Sequence, residues 1–347
     1  VTEHRWIRPF GEHLTRCGLV EGEVVAVLSE SSSRRELVDT ARLAAQLGGG
    51  QVVDVVVPTP ANTQRVPIRS TGASIALQGN RSAIAALASA DLVIDCTVEG
   101  LLHAPELGAI LGGGARVLMV SNEHPEHLER LVHDPGLARR VEHAAALVRA
   151  AREMHVTSAA GTDLRVLLAG ASVAGSTGLT SGPGSIAHWP GGLVAAFPAA
   201  HAVEGRVVMA PGDLNLTFKR YVAAPVTLEI VDDHLVDVGG DGVDARLFRS
   251  YLSAFDDAAA RATSHVGFGM NAGARWDALE LYDRSQVNGT EARAVAGNFL
   301  YSTGANEHAG RFTAGHFDLP LLDHTIALDG VVVVEAGRLA PELLGGS

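Results

Sequence analysis

Three side chains able to hold a metal stand late in the chain. Gly315-His316-Phe317-Asp318 puts an imidazole and a carboxylate two residues apart. In an extended strand residues i and i+2 leave the same face, so His316 and Asp318 can reach one point in space. Upstream, Ser264-His265-Val266-Gly267-Phe268-Gly269-Met270-Asn271 places a second histidine just ahead of a glycine-rich turn. Two imidazoles and one carboxylate, with open positions for substrate and oxygen, form the donor set of mononuclear non-haem Fe(II) oxygenases. His265, His316 and Asp318 are therefore the candidate metal ligands. Spacing alone leaves a second reading open, a hydrogen-bonded core histidine beside an ordinary strand pair. The chain holds 15 histidines, and a His-x-Asp is expected about once by chance.

Such a set needs a scaffold. Glu23 to Leu28 is a β-branched run, and Arg35 to Leu47 carries apolar residues at helical spacing before Gly48-Gly49-Gly50 ends it. Val52 to Val57 is nearly all apolar, as in a strand buried on both faces. Arg81 to Ala90 reads as a helix, and Leu92 to Cys96 and Arg116 to Val120 as further buried strands. This alternation predicts a parallel sheet with helices on its faces, closed by a helix over Leu137 to Met154. Beyond, short strand-like runs dominate: Val156–Ser158, Leu164–Leu168, Val207–Ala210, Pro225–Val231 and His234–Val238, with Asp232-Asp233 as a hairpin turn. Tyr251 to Thr263 reads as one helix and Glu291 to Gly297 as another. The expected fold is α/β, with an N-terminal parallel-sheet α/β domain over residues 1–155 and a C-terminal β-rich metal-binding domain over residues 156–347.

Composition narrows the function. At 347 residues the chain exceeds what one core normally serves, and its net charge of −12 disfavours nucleic acid and anionic membranes as partners. Cys17 and Cys96 are too few for a disulfide framework or a cysteine-rich zinc site. The stretch from Val1 to Phe10 is polar and mixed, with no secretory pattern, and the apolar runs are too short to span a membrane. A cytoplasmic protein is the expectation. Ser29-Glu30-Ser31-Ser32-Ser33 follows the first strand where a dinucleotide fold would carry Gly-x-Gly-x-x-Gly, and no Walker lysine is present. The glycines between Gly170 and Gly184 read as turns. His124, His127 and His133 read as residues of exposed helices without a role.

Four stretches together carry a family likeness: Gly161-Thr162-Asp163-Leu164; His188-Trp189-Pro190 through Phe197-Pro198 to Glu204-Gly205; His265 through Asn271; and His316-Phe317-Asp318. In that order the chain resembles the thermophilic-type metalloaminopeptidases (aminopeptidase T-like), and more closely their relatives, the 2,5-dihydroxypyridine 5,6-dioxygenases. The aminopeptidases hold two metal ions with additional ligands. Here His188-Trp-Pro-Gly-Gly-Leu193 lacks their carboxylate, His265 stands where they carry a glutamate, and Asn298-Phe-Leu-Tyr301 offers no imidazole. The resemblance thus implies one Fe(II) on His265, His316 and Asp318. A single-zinc hydrolase descended from the aminopeptidases is the alternative.

Two more histidines gain interest. His103 follows the strand ending near Cys96, where open α/β sheets place ligands, and His188 lies in the segment that carries a metal ligand in the peptidases. An imidazole titrating near neutrality suits proton transfer to or from a hydroxypyridine, a structural hydrogen bond being the other reading of each. Ser302 and Asn271 are read as pocket-lining or ligand-orienting residues, and Asp323 and His324 as part of the loop after the ligand strand. The resemblance implies a small aromatic substrate and O₂ as reaction partners, N-formylmaleamate as product, and a homo-oligomer.

Overall fold

The computed structural model describes residues 2–63, 65–66, 75–131 and 134–344. Five parallel strands lie in the order Gln51–Val57, Val24–Glu30, Leu92–Asp95, Arg116–Met119 and Ile186–His188. Their side chains alternate between two cores. Val25, Val27, Ile94 and Leu118 pack under the helices His4–Arg16 and Arg35–Leu47, whereas Ala26, Leu28, Val93 and Val117 pack under Arg81–Ala88 and Leu107–Gly112. Covering both faces is what makes the first strands read as continuous apolar runs.

The Gln51–Val57 strand departs from its expected burial. It is the sheet's edge, and Val53 and Val56 are 46% and 68% exposed. From Val24–Glu30 the chain turns first to that edge and then crosses to Leu92–Asp95 on the other side, which creates a switch point where ligands collect. The loop after Asp95 is built there. The Asp95 carboxylate accepts from Thr97 N, Thr97 Oγ1 and Leu101 N, and Glu30 accepts from Val98 N. That loop delivers His103.

The rest of the chain forms an eight-stranded and a five-stranded antiparallel sheet, with the hairpin of Leu214–Asn215 and Arg220–Tyr221 beside them. The two large sheets share one core, to which the first gives Met154, Val166 and Leu228 and the second Val266, Phe268, Tyr301 and Phe317. The helix Leu137–Ala150 faces this core through Val141, Ala144, Ala145 and Val148, so it serves the β-rich part and does not close the parallel sheet as expected. Asp232 and Asp233 both have left-handed φ, of 49° and 69°, and turn the hairpin as predicted.

The helix expected over Tyr251 to Thr263 lies earlier, at Val243–Leu252. Asp257 caps a separate 3₁₀ turn, Ala258–Arg261, by accepting from Ala259 N, and the strand Thr263–Gly269 follows. The second short helix is Thr290–Ala294. His127 is fully buried rather than exposed, 3.5 Å from Glu123 and 3.7 Å from Glu291. His124 is half-buried and caps the helix Pro125–Arg130, and His133 lies outside the described residues. Among the described residues no helix is long and apolar enough to cross a membrane.

Candidate active site

Three neighbouring strands of the five-stranded sheet, Thr263–Gly269, Phe299–Asn306 and Arg311–Leu321, build the site. Val266, Phe268, Phe299, Tyr301, Phe317 and Leu319 enter the core from the back of the sheet. The period of two then turns His265, Ser302, His316 and Asp318 to the front. Cross-strand register brings them together: His265 pairs with Ser302, Ser302 with Asp318, and Gly304 with His316. The glycine-rich segment after His265 is thus strand rather than turn as far as Gly269.

Asp318 Oδ1 lies 3.3 Å from His316 Nε2 and 3.7 Å from His265 Nε2, and the two imidazole planes are inclined by only 16°. Arg293 donates to Asp318 Oδ2 at 2.5 Å, and Ser302 donates to Oδ1. Burial alone would raise this carboxyl, but Arg293 and the two imidazoles outweigh it and hold it well below the usual carboxylate range. Burial pushes His265 down to about 3.

Hydrogen bonding fixes the His265 tautomer. Ser264 Oγ donates to the Ala305 carbonyl, so it offers only lone pairs to His265 Nδ1, 3.1 Å away. Nδ1 therefore carries the ring proton and Nε2 is left bare. Ser302 directs its own proton to Asp318, so Nε2 meets the lone pairs of Ser302 Oγ at 3.3 Å and of Asp318 Oδ1 at 3.7 Å. Lone pairs converging with no proton between them repel, and a cation among them reverses the sign of that interaction. His316 Nδ1 is buried and has no hydrogen-bond partner among the described residues. Two imidazoles and a carboxylate suit a transition metal such as Fe(II). Among the described residues no group of three or more His, Cys, Asp or Glu side chains is spaced as a ready-made metal cage. Each Asp318 oxygen accepts one hydrogen bond here, from Ser302 and from Arg293, and keeps a further lone pair that a metal could use.

In front of these residues is a cavity of about 150 Å³, the size that admits one benzene-sized ring. Leu102, Ile186, Leu193, Ala195 and Phe197 supply its apolar wall, and Phe197 lies 5.1 Å from the His265 ring at 20°. His103 and His188 enter the same cavity. His188 ends the fifth strand of the parallel sheet, held by pairing with Met119, and burial lowers it to about 4. The His103 ring is 5.4 Å from that of His316, and its Nδ1 lies 3.1 and 3.2 Å from the Glu307 carboxylate oxygens. A second, polar cavity meets the first at Glu99, Asn288, Arg293, His316 and Asp318, and burial pushes Glu99 up to about 7.

Five of the residues singled out from the sequence, His103, His188, His265, His316 and Asp318, thus line one cavity. Ser302 lies between the ligand candidates, not on the cavity wall. Asn271 lies elsewhere: its amide donates to Gly191 O and accepts from Gly273 N, which holds the chain after the His265 strand. Arg293, Ser264, Glu99 and Glu307 were not anticipated. Their partners are remote in the chain or form no short motif, and only the side-chain types hinted at them.

A family model described as 2,5-dihydroxypyridine 5,6-dioxygenase (NicX) matches residues 5–341. A 2,5-dihydroxypyridine 5,6-dioxygenase of Pseudomonas putida KT2440 is 37% identical over 337 residues, 95% of each chain. A solved structure of 2,5-dihydroxypyridine dioxygenase from the same organism superposes with a TM-score of 0.91 at 35% identity, covering 98% of both chains. Wild-type AmpT from Thermus thermophilus gives a TM-score of 0.63 at 15% identity, covering 97% of this chain and 99% of its own, a likeness of fold alone.

Proposed function

Since the chain belongs to the 2,5-dihydroxypyridine 5,6-dioxygenase family, we propose that it opens the ring of 2,5-dihydroxypyridine or a closely similar hydroxylated N-heteroaromatic with O₂. Fe(II) on His265, His316 and Asp318 is the metal of this reading. The supporting observation is the convergence of a bare imidazole nitrogen, a second imidazole and an ionised carboxylate at one end of a ring-sized cavity. One substrate and one O₂ combine without other reactants, both oxygen atoms entering N-formylmaleamate.

The bound metal would supply the site at which O₂ and a substrate hydroxyl come together and exchange charge. The protein does the rest. Phe197, Leu193 and Ala195 hold the flat ring and exclude water from it. His103 accepts the proton of a ring hydroxyl, which makes the ring electron-rich enough to react, and returns it to an oxygen of the opened product. His188, neutral through burial, offers the ring a hydrogen bond from the parallel-sheet side. Arg293 and Ser302 fix the Asp318 carboxylate so that its charge is not lost to protonation.

The test is oxygen uptake by protein loaded anaerobically with Fe(II), on adding 2,5-dihydroxypyridine. Stoichiometric uptake with loss of the aromatic absorbance is the expected result. Tight retention of zinc with oxygen-independent hydrolysis of amides would replace this reading with a hydrolase.

A further inference from the structure

Among the described residues Glu307 is the one hydrogen-bond partner of the His103 ring, and it comes from the other side of the cavity. His103 rides on the loop after the Leu92–Asp95 strand of the parallel sheet. Glu307 sits in the 3₁₀ turn Glu307–Ala309, between the strands that carry Ser302 and His316. The His103 side chain is 4% exposed and that of Glu307 28%, with both carboxylate oxygens near one ring nitrogen, at 3.1 and 3.2 Å. The turn is itself held in place. Buried Asn306 accepts from Ala309 N, donates to the Pro198 carbonyl beyond the Phe197 wall, and hands on to Gly310, whose φ of 71° closes the turn.

We propose that Glu307 is a positioning residue that sets the His103 tautomer and its angle in the cavity. A carboxylate can only accept, so the nitrogen facing it, Nδ1, must carry a proton. The neutral ring then has its lone pair on Nε2, the nitrogen left to face the cavity, and is ready to receive the hydroxyl proton. Without Glu307 the ring is free to hold its proton on either nitrogen, and the fraction with it on Nε2 cannot act as a base. When the proton does arrive, the imidazolium is balanced by the carboxylate until the proton passes to a product oxygen. This inference rests on His103 as the proton acceptor of the proposed reaction. It adds that the acceptor is assembled from both sides of the cavity, by residues 204 apart in sequence.

The test has two readouts. In metal-free protein with ¹⁵N-labelled histidine, His103 should give the shifts of a single Nδ1–H tautomer, and E307A should move them toward a mixture; E307D, which keeps a carboxylate, should restore part of the wild-type signal. In Fe(II)-loaded protein, E307A should lower kcat by about 10- to 100-fold with KM nearly unchanged, and should add little to the loss already caused by H103Q. An Nε2–H tautomer in wild type, or losses from E307A and H103Q that multiply, would overturn the role of Glu307. Full turnover by H103Q would instead remove His103 from the reaction, and the inference with it. E307Q, which keeps the size of the side chain, guards against a misfolded turn: unchanged His103 shifts in both E307Q and E307A would count against the proposal.

Discussion

His265 and Asp318 belong to strands that are not paired with each other; Ser302, on the strand between them, is in register with both. Its hydroxyl donates to Asp318 Oδ1 and lies 3.3 Å from His265 Nε2. Replacing Ser302 by alanine leaves the carboxylate free to swing toward Arg293. Outer contacts of this kind are worth about 10- to 100-fold in metal affinity. S302A should therefore lose Fe(II) at chelator concentrations that wild type withstands, as read by metal content after desalting. Equal retention would show that the serine only fills space.

Removing a ligand should be more severe. D318N keeps the shape and a hydrogen-bond acceptor but discards the charge that Arg293 and the imidazoles stabilise. The variant should fold, retain no stoichiometric Fe(II) and show no oxygen uptake. An iron-loaded, active D318N would remove Asp318 from the ligand set.

Phe197 makes a separate prediction about substrate hold. Its ring is nearly parallel to that of His265 and forms part of the cavity wall. F197L should raise KM about tenfold while kcat changes less, because ring stacking and exclusion of water serve binding before chemistry. A kcat loss at constant KM would assign Phe197 to the reaction itself.

Much of this site could be read from the sequence, and the rest could not, for physical reasons. His316 and Asp318 announce themselves because a strand repeats every two residues, so their shared face is local information. His265 depends on a strand pairing that no local pattern encodes; residue type made it a candidate, and the family resemblance added support. Arg293 and Glu307 act on residues 25 and 204 positions away, and nothing in their own surroundings marks them. The misplaced helix around residue 251 has a similar cause. Apolar spacing continues through Phe255, and the Asp257 cap that starts a new turn is visible only once the backbone is known. The edge position of Gln51–Val57 follows from strand order, which its run of valines does not specify.

Gly304 offers a test of the backbone that presents His316. Its φ is 113°, and a Cβ there would stand 2.1 Å from the Gly315 carbonyl oxygen. G304A must both strain the backbone and push apart the pair that sets His316, so the loss should be about 2 kcal/mol or more. Denaturant titration measures it. A stability equal to wild type would mean that the neighbouring strand yields freely.

Asp95 predicts a pH dependence. Burial pushes its carboxyl up to about 6 from an ordinary value of 3.8, despite hydrogen bonds from Thr97 and Leu101. The folded protein then holds this proton at pH values where the unfolded chain has released it. The contribution of Asp95 to stability must therefore fall as pH rises from about 4 to about 6, and level off above. Wild-type stability minus that of D95N, measured by denaturant titration across this window, should show that decline. A difference that grows with pH would mean that the three donors around the carboxylate outweigh its burial.

The short strand Ile186–His188 completes the parallel sheet although it comes from far along the chain, after two strands of the eight-stranded sheet and one of the five-stranded antiparallel sheet have been laid down. The boundary expected near residue 155 is thus crossed by a strand of the parallel sheet. A fragment ending near residue 155 would leave the backbone of Arg116–Met119 as a raw seam, open to any other extended segment. It would also lose Ala187 and Trp189 from the core beneath Phe10. The parallel sheet takes Ile186–His188 from beyond residue 155, and the β-rich core takes Leu137–Ala150 from before it. Heat or denaturant should therefore melt the whole chain in one step, and a gene split at that boundary should yield two insoluble products rather than two working parts.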